Sequence, residues 1–324
     1  MIEIVGIGAN VFDTLFAIEK YPREDTKMRA DSVKQSGGGP CATGLVAAAK
    51  LGAKCAFIGN MTDDSAGRFL KEDFEKYGVD TNCVKIKRGY DTFRSCIWLA
   101  GDSASRTCVF YKGNIPPTEI DENAAKTVEN AKILMVDGND MDAAIKGAET
   151  AKRSGTKVLY DAGGLYENVE KLLPYADILI PSEEFALGHT GENDAEKAAK
   201  ALFEKYSPEI VVITQGKKGG IIYDGSSFEK YPAFLVDAVD SNGSGDVFHG
   251  AFAFAVTKGM DYKKACVFSS AVSALKCTRI GAREGVPAYD EAINFAKKFP
   301  ETAWCYGNHD LSYFWHQLES GYSS

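Results

Sequence analysis

The 324-residue chain lacks the features that would direct it to a membrane or to nucleic acid. No stretch approaches the roughly 18 apolar residues that a membrane span needs, and the N-terminal segment MIEIVGIGAN has no basic leader. The chain also has no run of lysine or arginine, and its formal net charge is -8, which disfavours anionic partners. We therefore expect a cytoplasmic protein that binds small molecules, with no nucleic-acid or membrane partner.

Cysteine and histidine are few and scattered. The eight cysteines include no C-x-x-C pair, and several lie in apolar segments where a free thiol behaves as a small hydrophobic side chain. The four histidines lie mostly far from any cysteine, whereas a structural zinc site needs the two residue types clustered. This distribution favours a reduced compartment and argues against a structural metal.

Three common active-site motifs are missing. In VGIGAN, Gly6 and Gly8 are followed by Val11 at the position where a dinucleotide fingerprint has its third glycine. No G-x-x-x-x-G-K-[ST] segment occurs, which excludes a P-loop. Ser244 has Asn242 two residues before it, where the nucleophile turn of a serine hydrolase has glycine.

Short apolar runs instead alternate with segments of helical periodicity. This pattern predicts an α/β fold with a mostly parallel central sheet flanked by helices. Several predicted helices end in glycine, as a left-handed C-cap requires. The predicted strands are 2–8, 55–61, 132–138, 157–163, 177–182 and 210–216, and the predicted helices include 41–52, 65–78 and 141–155.

Two stretches, 27–36 and 92–112, interrupt this alternation. The second reads as two strands joined by a polar, glycine-containing turn. Such a hairpin is either an edge of the main sheet or a lid over the carboxyl ends of its strands, where open α/β folds bind ligands. The aromatic-rich tail from about residue 300 has no clear place in either arrangement.

The segment DSNGSGDVFHGAF (240–252) predicts an anion site followed by a proton acceptor. Gly243, Ser244 and Gly245 can turn sharply and leave backbone N–H groups free at the first turn of a helix, where the helix dipole attracts anions. Asp246 lies in the same turn and could accept a proton from an attacking hydroxyl. Taken alone, the segment could also be an ordinary glycine-rich loop.

Two further glycine-rich turns follow predicted strands. In the first, Gly38 and Gly39 permit close approach of the backbone to a polar ligand. In the second, ITQGKKGG (213–220), small residues could form a ledge for a nucleotide phosphate. Three such turns, one in each third of the chain, are difficult to explain by packing alone. His249 shares a helix face with Asp246 and either contacts substrate or packs in the pocket wall.

Two segments together resemble the two signatures of the ribokinase-like (PfkB) family of carbohydrate kinases: GGGPCATGLVAAAKLG and VDSNGSGDVFHGAF. The second signature of that family is approximately D-T-x-G-A-G-D. The segments NMTDDSAGRFLKEDFEKYGVD and VVITQGKKGG lie between them in the family's order, so the likeness covers roughly residues 2–298. Three stretches are similar to the ketohexokinase branch, which phosphorylates fructose at its 1-hydroxyl. They are residues 20–61, SASRTCVFYKGNIP and KCTRIGAREGV.

The resemblance implies roles for particular residues on the sugar side. Asp246 is the implied catalytic base, and the N–H groups of Gly243, Ser244, Gly245 and Asp246 stabilise charge on the transferring phosphoryl group. The other implied sugar-side residues are Asp13, Gly38, Gly39 and Thr43 as sugar ligands, with Thr43 standing where an asparagine is usual, and Arg106 as a lid arginine facing substrate or phosphate.

On the nucleotide side the resemblance implies ATP and Mg²⁺, with a monovalent cation such as K⁺ as a further candidate. The family's N-x-x-E element reads SEEF, with Ser182 and Phe185 at its ends. Either Glu183 takes over the metal role, or Mg²⁺ is held only by phosphates and water. The other implied nucleotide-binding residues are Thr214, Gly216 and Gly219 at the phosphates, and Ala271 and Ala274 beside adenine.

These observations together predict one ribokinase-like kinase domain over residues 1–324, with lid strands inserted at about 27–36 and 92–112. The predicted activity is ATP-dependent phosphorylation of fructose or a related ketohexose, and a homodimer would form through the lid. The alternatives are ribokinase, another sugar or nucleoside kinase of the same fold, and a sugar-sensing protein that has lost catalysis.

Overall fold

The computed structural model describes residues 1–102 and 105–299. Residues 103 and 104 of the predicted hairpin turn, and the tail from residue 300 with Cys305, lie outside this range. The strands, in chain order, are β1 (Ile4–Ile7), β2 (Val11–Ile18), β3 (Ser32–Gly38), β4 (Cys55–Thr62), β5 (Asp80–Lys87), β6 (Arg94–Ala100), β7 (Ser105–Tyr111), β8 (Ile133–Val136), β9 (Lys157–Ala162), β10 (Ile178–Pro181), β11 (Ile210–Thr214), β12 (Gly220–Tyr223) and β13 (Phe228–Tyr231).

The main sheet has the strand order β13-β12-β11-β10-β9-β8-β1-β4-β5. Every pairing from β11 to β5 is parallel, and β12 and β13 extend one edge as an antiparallel hairpin. All six strands predicted from the sequence are present, and the predicted α/β fold class is confirmed. Because parallel strands end at the same edge, the residues that follow β1, β8 and β9 come together there.

Helices cover both faces of the main sheet. They are α1 (Pro40–Lys50), α2 (Ser65–Lys76), α3 (Glu122–Glu129), α4 (Met141–Ser154), α5 (Val169–Leu172), α6 (Glu183–Thr190), α7 (Ala195–Tyr206), α8 (Ser244–Thr257), α9 (Tyr262–Cys277) and α10 (Tyr289–Ala296). Side chains of successive strand residues pack into the two hydrophobic cores on opposite faces of the sheet, as those of Ile4 and Val5 in β1 do. Burial on both faces explains why these strands read as continuous apolar runs. Among the described residues, no helix has the length and apolarity that crossing a membrane requires.

A second, four-stranded sheet has the order β3-β2-β6-β7. β2 pairs antiparallel with β3 and parallel with β6, and β6 and β7 form an antiparallel pair. The sequence predicted lid strands where β3 and the β6–β7 hairpin lie, but it did not predict β2, which is separated from the end of β1 by three residues. All seven residues of β7 are exposed. We refer to these four strands as the small sheet.

Candidate active site

The segment at 240–252 forms a tight turn into helix α8. Gly243 precedes the helix with a φ of 74°, and a Cβ at this position would lie only 2.6 Å from the Cβ of Ala282. Both the backbone conformation and the available space therefore require glycine. A Cβ on Gly245 would meet nothing within 4 Å, so the first turn of α8 faces open space. A ligand can approach the backbone N–H groups there, as the anion-site prediction requires.

Asp246 lies half-buried in this first turn. Its burial raises the pKa of the carboxyl to about 6, and the charge of Asp161 raises it further, while His249 and Arg106 oppose the shift. A group with this pKa is mostly ionised at neutral pH but is a stronger base than an ordinary aspartate. Asp246 is therefore suited to accept a proton from a hydroxyl.

His249 lies three residues after Asp246 in α8 and is buried. Its Nδ1 lies 2.6 Å from the carbonyl oxygen of Gly245, and its Nε2 lies 3.1 Å from the carbonyl oxygen of Ile180. Nδ1 also lies 3.1 Å from Oδ2 of Asp161. Burial lowers the pKa of His249. Both nitrogens are engaged with the protein, which places His249 in the wall of the site, one of the two roles left open by the sequence.

The predicted sugar ligand Asp13 lies on β2 of the small sheet. Ser95 Oγ donates a hydrogen bond of 2.6 Å to Oδ1 of Asp13. Burial raises the pKa of Asp13 to about 6, and the hydrogen bond from Ser95 and the charge of Arg283 counteract the rise. A Cβ on Gly38 would lie 2.0 Å from Oδ2 of Asp13, so a side chain at residue 38 would displace the carboxylate.

The turn into α1 lies beside the first turn of α8. Gly39 has a φ of 92°, and a Cβ there would lie 2.4 Å from the carbonyl oxygen of Ala9. Thr43 is fully buried, and its Oγ1 has no hydrogen-bond partner among the described residues. A Cβ on Gly44 would lie 3.2 Å from the backbone oxygen of Asp246. Close contact between α1 and α8 thus joins the predicted sugar and phosphoryl sites.

A cavity of about 710 Å³ opens at the carboxyl ends of the parallel strands. Its lining includes Asn10 after β1, Asn60 in β4, Asn139 after β8 and Tyr166 after β9. Asn10 Nδ2 and Asn60 Oδ1 are buried and have no hydrogen-bond partner in the part of the chain that the structure describes. These groups could bind the hydroxyls of an acceptor.

A second cavity of about 380 Å³ contains most of the predicted nucleotide ligands. The predicted ligands that line it are Thr214, Gly216, Gly219 and Ala274. Ser244 and Gly245 of the turn into α8 line it as well, so the predicted phosphate ledge and the predicted anion site share one space. Two predicted nucleotide ligands, Ala271 and Ser182, do not line this cavity. Ala271 is fully buried. Ser182 caps α6, and its Oγ accepts a 3.1 Å hydrogen bond from the N–H of Phe185.

The SEEF element places one carboxylate beside the nucleotide cavity. Glu183 Oε1 accepts a 2.7 Å hydrogen bond from Gln215 Nε2, next to Thr214. Phe185 is buried and stacks on His189 with ring centroids 5.5 Å apart, so it faces the core. Within residues 1–102 and 105–299, no three His, Cys, Asp or Glu side chains cluster as a metal cage. Mg²⁺ usually keeps several waters and needs only one or two carboxylates besides substrate phosphates.

Arg106 connects the small sheet to the loop that precedes α8. Arg106 on β7 donates a 3.0 Å hydrogen bond from Nη1 to the carbonyl oxygen of Ser241. Its side chain is exposed and lies near enough to Asp246 to oppose the rise in that carboxyl's pKa. Arg106 is therefore close to the position where a transferring phosphate would carry charge.

Three buried charged residues lie near the predicted ligands but were not predicted from the sequence. Asp137 follows β8 and accepts hydrogen bonds from the N–H groups of Ala9 and Cys41 at 2.9 and 3.0 Å. Asp161 is the second and is also buried. The third is Arg283, which is fully buried and donates hydrogen bonds to Asp73 and to the carbonyl oxygen of Gly38. Both aspartates lie at the carboxyl ends of predicted strands, which is a signal that the sequence did offer.

Comparison with known proteins agrees with this geometry. The family described as pfkB family carbohydrate kinase matches residues 1–289. The chain belongs to this family of carbohydrate kinases. It is accordingly an enzyme that phosphorylates a sugar-type substrate, and the prediction of a ribokinase-like carbohydrate kinase is confirmed.

Individual PfkB relatives differ in substrate. The chain is 27% identical to a ribokinase of Haemophilus influenzae, over 89% of this chain and 96% of the relative. It is 25% identical to a mouse ketohexokinase, over 85% of this chain and 96% of the relative. The structure of an Arabidopsis thaliana ribokinase in complex with ribose and ATP has a TM-score of 0.81 and 23% identity, and the match covers 92% of this chain and 99% of that one. These similarities leave the acceptor sugar open.

Proposed function

We propose that this PfkB kinase transfers the γ-phosphoryl group of ATP to the 1-hydroxyl of fructose or a related ketohexose. The observation that carries the proposal is the position of Asp246 in the first turn of α8. The neighbouring residues Ser244 and Gly245 line the nucleotide cavity, and Asp246 interacts electrostatically with Asp13 of the sugar side. A base between two substrate sites is the arrangement that phosphoryl transfer needs.

The proposed reaction has one step. The acceptor oxygen forms a bond to the γ-phosphorus while the bond from the γ-phosphorus to the bridging oxygen of ADP breaks, and the bridging oxygen keeps the electron pair. Asp246 takes the hydroxyl proton, which solvent then removes. The N–H groups at the start of α8, with Arg106 beside them, stabilise the charge on the transferring phosphoryl oxygens.

Glu183 is the residue that would hold Mg²⁺, through water or directly, beside the phosphates. The metal would neutralise the charge of the β- and γ-phosphates. The hydrogen bond from Gln215 to Oε1 fixes the Glu183 carboxylate at the edge of the cavity. Ser182 organises this segment as the helix cap and need not contact the nucleotide itself.

Asp13 is the proposed acceptor ligand. A carboxylate can accept hydrogen bonds from two adjacent hydroxyls, and a ketohexose carries such a pair next to its primary hydroxyl. Gly38 lets the backbone lie close to the Asp13 carboxylate, and Asn10 Nδ2 offers an unused donor. Losing one hydroxyl would leave a buried acceptor unpaired, at a cost of about 1–3 kcal/mol.

The larger cavity, which Asn10 lines but Asp13 does not, favours a second candidate. At about 710 Å³ it is larger than the nucleotide cavity of about 380 Å³. Tyr166 and the side-chain amides of Asn60 and Asn139 line its outer part and could contact a substituent on the sugar. A nucleoside or another substituted sugar is therefore the alternative acceptor class.

We also propose that the small sheet serves as a lid and as the surface through which two chains dimerise. Its edge strand β7 is exposed along its whole length, with Val109 and Phe110 both 64% exposed. An exposed apolar edge strand is a template for pairing with another strand. The seven described cysteines are free thiols, which supports the proposed cytoplasmic location.

A panel of fructose, ribose and adenosine, each assayed for ADP release with ATP and Mg²⁺, tests the acceptor. We expect fructose to give a kcat/KM at least about tenfold above that of an analogue lacking one ring hydroxyl, a factor that corresponds to roughly 1.4 kcal/mol. Asp13→Ala should remove this preference. Faster turnover of ribose or adenosine than of fructose would reject the ketohexose assignment but not the kinase activity.

A further inference from the structure

A lysine ammonium group lies buried beside the catalytic loop. Lys276, in the last turn of α9, is 0% exposed. Its Nζ donates a 2.8 Å hydrogen bond to the carbonyl oxygen of Asp240 and a second hydrogen bond to the carbonyl oxygen of Asn242. Oδ2 of Asp240 lies 3.7 Å away. Three oxygens around a group that has only donors indicate the charged ammonium form.

The residues that surround this ammonium lead directly into the anion site. Asp240 is also buried, and its carboxylate accepts 2.8 Å hydrogen bonds from the N–H groups of Asn242 and Gly281. Asn242 immediately precedes Gly243, the residue that turns the chain into α8. The ammonium therefore fixes the carbonyl groups of the loop from which the phosphoryl-binding N–H groups follow.

Carbonyl and carboxylate oxygens that converge on one point form the kind of ligand set that K⁺ and Na⁺ occupy in proteins. An added monovalent cation at these oxygens would overlap the ammonium of Lys276 and be repelled by it. The monovalent cation raised as a candidate by the family resemblance therefore does not fit these oxygens of the catalytic loop. The ammonium of Lys276 in α9 already provides the positive charge that the cation would bring.

We propose that Lys276 replaces a monovalent cation in this kinase and makes its catalytic loop independent of K⁺. Lys276 is a positioning residue: it contacts the loop at Asp240 and Asn242, not the reacting groups. The proposal depends on kinase activity but not on the identity of the sugar. Burial lowers the pKa of Lys276, and the charge of Asp240 raises it, which keeps the ammonium paired.

The wild-type enzyme provides the first test. Turnover is measured at constant ionic strength in KCl, NaCl or tetramethylammonium chloride, the last being too large to enter an oxygen cage. We expect the three rates to agree within about twofold. Activation by K⁺ of roughly fivefold or more over tetramethylammonium would overturn the proposal, because it would show that a cation from solution is still needed.

Two substitutions at Lys276 provide the second test. Lys276→Ala opens space beside the oxygens, so turnover should fall by about tenfold or more in tetramethylammonium and recover in part with K⁺ or NH₄⁺. Lys276→Met fills the space with an apolar chain and should lose activity without recovery. An Ala variant that is impaired and gains nothing from either cation would assign Lys276 a packing role alone and reject the proposal.

Thermal unfolding supplies a readout that needs no sugar. The Tm of Lys276→Ala should rise with the concentration of K⁺, because a cation that binds only the folded state stabilises it, whereas the Tm of the wild type should not. Lys50→Ala is the matched control, since Lys50 also donates to two carbonyls, those of Arg283 and Glu284, but does not contact residues 240–242. An equal response of the Lys50 variant to K⁺ would contradict a specific site.

Discussion

Ser95 Oγ donates a 2.6 Å hydrogen bond to Oδ1 of Asp13, from the neighbouring strand of the small sheet. The two residues are register partners in the parallel pairing of β2 with β6. Because Asp13 is buried, this bond supports its charged form against the effect of desolvation. The strands that we propose as a lid therefore also hold the carboxylate that we propose as the sugar ligand.

Ser95→Ala should weaken sugar binding more than catalysis. Removing the donor leaves the Asp13 carboxylate with less stabilisation, so its pKa should rise above about 6 and its orientation should loosen. We expect KM for the sugar to increase by roughly 3-fold to 30-fold, with kcat changed much less. Steady-state kinetics at pH 7 and 8 measure this effect, which should be larger at pH 7.

Ser36→Ala is the control for this change. Ser36 is the antiparallel register partner of Asp13 on β3, but the acceptors within reach of its hydroxyl are Glu284 Oε2 at 2.9 Å and the carbonyl oxygen of Gly37 at 3.2 Å. An equal rise in KM in both variants would indicate general damage to the small sheet. It would contradict a specific role for Ser95.

The pH profile should show two carboxylates that titrate together. The pKa values of Asp13 and Asp246 are both raised to about 6, and both groups act in their ionised forms. Activity should therefore be present above pH 6 and lost as the pH falls through 6, with log kcat/KM approaching a slope of two at lower pH. Asp13→Asn should reduce that slope to one. A wild-type limb centred near pH 4 would show that neither group is perturbed as described.

The main sheet was predictable because its strands are buried on both faces and therefore read as apolar runs bounded by helices. The sequence did not predict β2 because only three residues separate this strand from β1, and because the buried carboxylate of Asp13 interrupts its apolar pattern. The three glycine turns were found because they need small residues locally. Lys276 and Arg283 were not found, since a buried cation has partners distant in sequence and reads as a surface residue in a helix or loop.

Glu183→Gln should reduce the affinity for Mg²⁺. The substitution keeps the size of the side chain but removes the charge that would interact with the metal. We expect the Mg²⁺ concentration for half-maximal rate to rise by about tenfold, with KM for the sugar nearly unchanged. The matched control is Glu184→Gln, which alters the next residue, an exposed one. The same Mg²⁺ dependence in both variants would contradict a metal role for Glu183.

Val109→Lys should break the proposed dimer. A charge on exposed strand β7 would be desolvated and unpaired in an interface between two small sheets, but it would be solvated in the monomer. Analytical ultracentrifugation should show a dimer for the wild type and a monomer for the variant. Ile86→Lys, on the exposed edge strand β5 of the main sheet, should stay dimeric. A monomeric wild type would reject dimerisation through the lid.

Turnover of Asp246→Asn tests the central claim, that a carboxylate in the first turn of α8 takes the proton of the acceptor hydroxyl. The substitution keeps the shape of the side chain and removes proton acceptance. With the best acceptor from the sugar panel, ADP release by this variant should fall by roughly 100-fold to 10,000-fold, while calorimetric sugar affinity changes by less than about threefold. Retention of more than about half of the wild-type turnover would contradict the account.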